Sequence, residues 1–260
     1  MGDIKRFADY ALEVQGATQP FEPGSLNAGN DAVTDRIRSG QAMYDDLIQW
    51  VGKQPTLNAT LLDPSVITDW TKELTSGITA CWRAFEENGG WGTGYKSIAF
   101  PKAVIYPMTL QGEQNTKATT EIEARAIFEA GSAATIGTAS VSRPDVTAAY
   151  YPTSITIGGG AISALMSINV NWNWNVQNDE QTEPGYYYYA SAEQSGQAQV
   201  KDLDEVTAAR LVDSSEETVV ALFTDANNDS NTVSVDLGTC KVNAEVQGDM
   251  ATINFEKIQS

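Results

Sequence analysis

Apolar and polar residues alternate along much of this chain, and the alternation predicts antiparallel strands that each bury one face. From Met166 to Val176 the period is two: Ile168, Val170, Trp172, Trp174 and Val176 share one face, and Asn169, Asn171, Asn173 and Asn175 share the other. Ser154 to Ile157 alternates in the same way. Gly158, Gly159 and Gly160 stand between the two runs and supply positive-φ positions for a turn, so residues 154–176 are expected to form one long hairpin. Further strands are predicted near residues 55–60, 78–85, 102–111, 119–128, 219–224, 232–236, 239–246 and 250–257.

Short helices interrupt this pattern twice. Asp63 followed by Pro64 predicts an N-cap with proline at the first helical position, ahead of Val66, Ile67, Trp70 and Leu74 at helical spacing. In the second half Asp202 or Asp204 precedes Val206, Ala209 and Arg210, and Asp204 is the candidate cap. One short helix among many strands reads as a mainly β, α+β fold.

The order of elements repeats. A strand, a capped helix, a strand and a Gln-Gly turn occur once around Gln54 to Gly112 and again around Gln197 to Gly248. The offset is 140 at the helix (206−66), 141 in the following strand (221−80) and 136 at the Gln-Gly turn (248−112). Loops of unequal length produce such a drift, and a repeat of this size is a whole domain. The expected organisation is therefore a first β-sandwich domain over 1–130, a linker over 131–150 and a second over 151–260, each with one short helix and a long hairpin. Residues 130–140 are small, polar and uncharged, as a linker would be. The stretch from Thr18 to Asp31 holds Pro20, Pro23, Gly24 and Gly29, so the first unit either lacks the hairpin or carries it broken by a loop.

Charge narrows the function. The net charge is −18, from 34 acidic and 16 basic residues. Such a surface repels phosphate and anionic lipid, which argues against tight nucleic-acid binding and suits either solubility or passage of a nucleic acid without adhesion. The start, Met1 to Arg6, is polar and lacks the apolar region of a secretory signal, and no apolar run is long enough to span a bilayer. Cys81 and Cys240 fall in different repeats on strand-like stretches, where two reduced, buried thiols are favoured over one interdomain disulfide.

Catalytic chemistry is not legible. The chain has no histidine, which removes His-assisted nucleophiles and His-ligated zinc or haem. It has no phosphate-cradling loop, and the glycine-rich run Gly89 to Gly94 lies between two predicted strands. Adjacent acids such as Asp45-Asp46, Glu86-Glu87 and Glu216-Glu217 read as caps, turns and solvated surface instead of a glycosidase pair. Asp225 to Asp236 echoes the spacing of a calcium loop, but Ser230 stands where glycine is required and Asp236 where a bidentate glutamate is required, so an Asx-rich hairpin turn is expected. No enzyme, cofactor or metal is predicted. Tyr186, Tyr187, Tyr188 and Tyr189 alternate faces as a strand would, so two of the rings point outward and suit a protein contact.

The Asp-Pro-capped helix, the aromatic strand after it, the run Tyr151 to Gly160 and the string Ser167 to Asn173 together resemble the tail tube proteins of long-tailed bacteriophages, in particular those with two tandem tube domains. The resemblance spans most of residues 45–258 and rests on element order. It implies homo-oligomeric rings, trimeric with pseudo-sixfold symmetry. Their hairpins combine into an inner barrel, and the rings stack around a channel for DNA in a virion tail built in the host cytoplasm beside other tail proteins. On this reading Asn169, Asn171, Asn173 and Asn175 line the lumen. The alternatives are a distal-tail or adaptor ring and, from another class, a carbohydrate-binding or adhesin-like β module using exposed Tyr and Trp.

Overall fold

The computed structural model describes residues 6–22, 24–30, 33–37, 47–52, 55–69, 73–74, 77–85, 91–126, 135–139, 148–179, 186–201 and 203–258. The fold is mainly β. In the first half the chain forms β1 (Arg6–Val14), β2 (Ala17–Thr18), β3 (Asn27–Asn30), β4 (Val33–Ile37), β5 (Leu47–Gly52) and β6 (Pro55–Leu61). Helix α1 (Val66–Asp69) follows, then β7 (Glu73–Leu74), β8 (Ile78–Phe85), β9 (Trp91–Phe100), β10 (Ala103–Glu113), β11 (Thr116–Ala126) and β12 (Thr135–Ala139). The second half contains β13 (Tyr150–Ile157), β14 (Gly160–Ser163), β15 (Leu165–Asp179), β16 (Tyr186–Val200), α2 (Glu205–Arg210), β17 (Ser215–Asp225), β18 (Asn228–Gln247) and β19 (Met250–Lys257).

The same pairing order occurs twice. In the first half one layer runs β2-β1-β8-β9 and the other β10-β11-β6-β3; in the second half β14-β13-β17-β18 is followed by β18-β19-β16-β15. The correspondence reaches single hydrogen bonds. Gln15 and Gly16 have φ of 52° and 78°, and Gly158 and Gly159 have 58° and 84°, so both turns close two-residue hairpins of the type that demands positive φ. Gln15 N–H donates to the Gly77 carbonyl, as Gly158 N–H donates to Thr218. Leu62 N–H donates to Pro20, as Lys201 N–H donates to Ala164.

Alternation places the cores. Leu12, Val14, Ile78, Ala80 and Phe100 of one layer meet Leu57, Ala59, Leu61, Ile105 and Ile122 of the other, all buried. In the second half Ile155, Val219, Ala221 and Phe223 meet Val170, Trp172, Val200, Ile253 and Phe255. Each half thus encloses its own apolar layer, as two facing sheets must. The second cluster also takes in Ile67, Leu110 and Ala118 from the first half. These residues reach it because β10 pairs antiparallel with β15, from Thr109–Asn171 to Glu113–Ser167, which makes one sheet continuous through both halves.

Several expectations are corrected. Residues 154–176 are not one hairpin: the turn at Gly158-Gly159 returns only the four residues of β14, and Ala164, at φ 61°, redirects the chain into β15. The long hairpin is β15 with β16, paired from Leu165–Val200 to Asp179–Tyr186. Residues 232–236 and 239–246 belong to one strand, β18, because Gly238 at φ 81° absorbs a bulge without ending it. Leu74 lies in β7 paired to β10 and not on the helix, whose described part ends at Asp69. Within the expected linker, residues 135–139 pair with β9 as an edge strand. The proline-rich stretch carries a broken strand: Phe21 bridges Leu61, the chain loops out, and pairing resumes at Asn27 with Asn58. Within the gap Ser25 N–H donates to the Glu22 carbonyl at 3.1 Å, and the Ser25 hydroxyl accepts from Thr60 N–H at 3.0 Å in place of a ladder bond.

Candidate functional site

The buried faces leave the opposite face of the continuous sheet to polar side chains. Asn169 and Asn171 stand on it as the alternation predicts, and Asn173 is exposed beside them, its amide donating to the Glu193 carbonyl at 3.3 Å. Asn175 pairs with Ser191 in the ladder; its side chain, like those of Tyr186 to Tyr189, lies outside the described residues. The tyrosine run itself forms the distal part of β16, against Val176 to Asp179.

Neighbouring strands extend the asparagine face. Gln111 on β10 is opposite Asn169 on β15, Asn169 is opposite Gln197 on β16, Gln197 is opposite Asn254 on β19, and Asn254 is opposite Asn243 on β18. Five carboxamides therefore form one row across five adjacent strands drawn from both halves. The Gln197 amide donates to Asn254 Oδ1 at 3.1 Å, and the Asn254 amide donates to Asn243 Oδ1 at 3.2 Å. Asn171 donates to Asn169 Oδ1 at 3.3 Å along the strand. Each amide offers donors and an acceptor, so such a row is self-satisfying and uncharged. The rung beside it reads Thr109, Asn171, Ser195, Glu256, Lys241, where one acid and one base sit on adjacent strands. Those on β15, β16, β19 and β18 line an open groove of about 480 Å³.

Only the β15 asparagines were legible in the sequence. Gln111, Gln197, Asn243 and Asn254 each lie in a different strand and form no run like that of β15, as Asn254 between Ile253 and Phe255 shows. Their alignment depends on pairing registers that no local pattern encodes.

Beyond the Thr109–Asn171 end of the β10–β15 ladder the two halves are also pinned. The Trp174 indole N–H donates to the Pro107 carbonyl at 2.7 Å, and its ring lies 5.9 Å from that of Tyr106. The Tyr106 hydroxyl donates to Glu123 and accepts from Arg125 Nε at 2.7 Å. Burial, followed by the Glu123 contact, pushes the Tyr106 phenol far above its ordinary range, so it stays protonated. Trp172 is buried in the second core.

The remaining sequence candidates have structural surroundings. Asp204 caps α2 through Thr207 N–H at 2.8 Å, and Asp63 accepts from Ser65 N–H at 2.9 Å in a turn just ahead of α1. At the Gly158-Gly159 turn, Arg210 of α2 donates to Glu217 and to the Ile157 carbonyl, tying helix, turn and β17 together. A Cβ on Gly160 would meet Val206 of the same helix at 2.9 Å, so the close approach of turn and helix requires glycine there. Asp225 accepts from Asn227 N–H at 3.1 Å, Ala149 N–H at 3.2 Å and the Asn231 amide at 3.3 Å, and these bonds, Asn227 foremost, hold its carboxyl below the usual range. Its oxygens serve the β17–β18 turn. No group of three metal-ligating side chains occurs among the described residues. Cys81 and Cys240 are free and buried, and burial raises both thiols to about 11.

Among the described residues no helix is long and apolar enough to cross a membrane. No family model matches the chain, and no match is found among curated proteins.

Proposed function

We propose that this chain is a structural subunit of a phage tail tube, built from two copies of one sandwich unit. It assembles with copies of itself into rings, three chains each, that stack around a channel for DNA. The observation that carries the reading is the carboxamide row from Gln111 to Asn243, which crosses both units within one sheet. A lining for a moving polyanion must be wetted without holding fixed cations, because each lysine or arginine paired with phosphate adds salt-dependent affinity. Amides meet that need, the one lysine lining the groove, Lys241, stands opposite Glu256, and the −18 net charge keeps the surroundings non-adhesive.

Continuity of the sheet supports the same reading. Two units add edge to edge in the chain, and further additions of the same kind consume the exposed strand edges that otherwise promote aggregation. The purified chain is expected to sediment as trimers and, at higher concentration, to give stacked annular particles in negative stain. Dispersed monomers at every salt and protein concentration would refute the proposal, and rings that never stack would reassign the chain to an adaptor role.

A further inference from the structure

Two of the open sheet edges among the described residues match a joint that the chain already contains. Among the described residues β18 pairs with β17 only as far as Val242, so the outer edge of Asn243 to Gln247 is unpaired. At the opposite end of the sheet β3 pairs with β6 alone among the described residues.

The equivalences of the two halves identify these edges. Leu61 and Val200 each precede the residue, Leu62 or Lys201, that donates to the matching carbonyl. From them the ladders run Leu61–Thr120–Leu110 in the first half and Val200–Ala251–Val246 in the second. Val246 is therefore the counterpart of Leu110. Leu110 is 0% exposed because β15 of the second half covers it, whereas Val246 is 40% exposed. In the chain Leu110 lies opposite Val170, which pairs with Gly196, four residues before Val200. Four residues before Leu61 is Leu57, whose partner is Ala28. Ala28 is thus the counterpart of Val170.

Ala28 borders an open recess of about 510 Å³ that also includes Leu26, Ile98 and Ile136, the last 83% exposed. An apolar side chain without cover at one end and an apolar recess at the other are the two halves of one contact.

We propose that the edge Glu245–Gln247 of one copy adds to β3 of a second copy in the register of the β10–β15 ladder, with Glu245, Val246 and Gln247 opposite Gly29, Ala28 and Asn27. This interface rests on the self-assembly reading above and gives it an address. The contact is head-to-tail, the type that closes into a ring or continues as a filament. It also extends the amide pattern, because Gln247 opposite Asn27 repeats Gln111 opposite Asn169.

The test is disulfide trapping in the full chain with Asn27→Cys and Gln247→Cys combined. Oxidation is expected to give covalent multimers on non-reducing gels, absent from each single variant. They should also be absent when Asn27→Cys is combined with Asn243→Cys, about 13 Å along the strand. The native Cys81 and Cys240 are buried and give no background. Val246→Asp is expected to abolish multimers and leave the circular dichroism melt unchanged. Multimers that form without the Asn27–Gln247 link, or that survive Val246→Asp, overturn this register and leave self-assembly standing. A chain that never multimerises overturns both.

Discussion

Replacing Gly196 by alanine adds one methyl group where the second core has no space for it. An ideal Cβ at Gly196 would lie 2.3 Å from Cε2 and Cζ of Phe255 and 2.9 Å from the carbonyl oxygen of Asn169. Ordinary contacts between carbons begin near 3.5 Å, so the ring must retreat by about 1 Å. Phe255 is only 2% exposed and packs within the core cluster, and the Asn169 carbonyl belongs to a strand paired on both sides. Overpacking of this kind costs about 1–3 kcal/mol. The loss of chain freedom in the unfolded state returns about 0.4–1 kcal/mol, since Gly196 is not in the left-handed region. The midpoints of the two ranges leave a net destabilisation of about 1.3 kcal/mol, measured by equilibrium urea unfolding followed through tryptophan fluorescence. Phe255→Leu should relieve the clash, so the double variant is expected to be more stable than the sum of the single effects by about 1 kcal/mol. A Gly196→Ala chain within about 0.5 kcal/mol of the parent, or strict additivity in the double variant, would refute the packing argument.

Glu217→Ala removes the partner of Arg210, whose residue is 6% exposed, and leaves a buried guanidinium unpaired; a loss of about 3 kcal/mol is expected in the same unfolding assay. Both thiols, raised to about 11, remain protonated in the folded chain at pH 9, so a thiol reagent should modify neither until urea is added, when two react. Rapid labelling of either in the native chain would contradict their burial.

Strands with one apolar and one polar face could be read directly, and β6, β11 and β19 lie where alternation puts them, while β8 and β10 lie near their expected positions although β10 buries both faces from Ala103 to Pro107. Errors gathered where a single backbone angle decides. Three consecutive glycines suggested a hairpin continuing to residue 176, but the angle that matters is at Ala164, a residue that gives no turn signal. Gly238 looked like a strand end and is a bulge inside β18. The first-half turn equivalent to Gly158-Gly159 carries no diglycine signal because Gln15 stands where the second half has glycine. For the candidate site, the asparagines of β15 were visible as a local run. The other four amides could be joined to them only through ladders linking residues as distant as Gln111 and Asn254, and one-residue slips would have moved any of them into the core.

The two sandwiches differ in how their layers are connected. In the second, β18 passes through both layers as one strand and is paired to β17 and to β19. In the first, β9 and β10 are separate strands in separate sheets, joined across Pro101 and Lys102. Sliding one layer over the other in the second sandwich must rupture a ladder, whereas in the first it need only bend two residues. Amide protons of β1 and β8 should therefore exchange with deuterium through local openings well before those of β13 and β17, and a pulling force along the chain should be yielded first by the N-terminal sandwich.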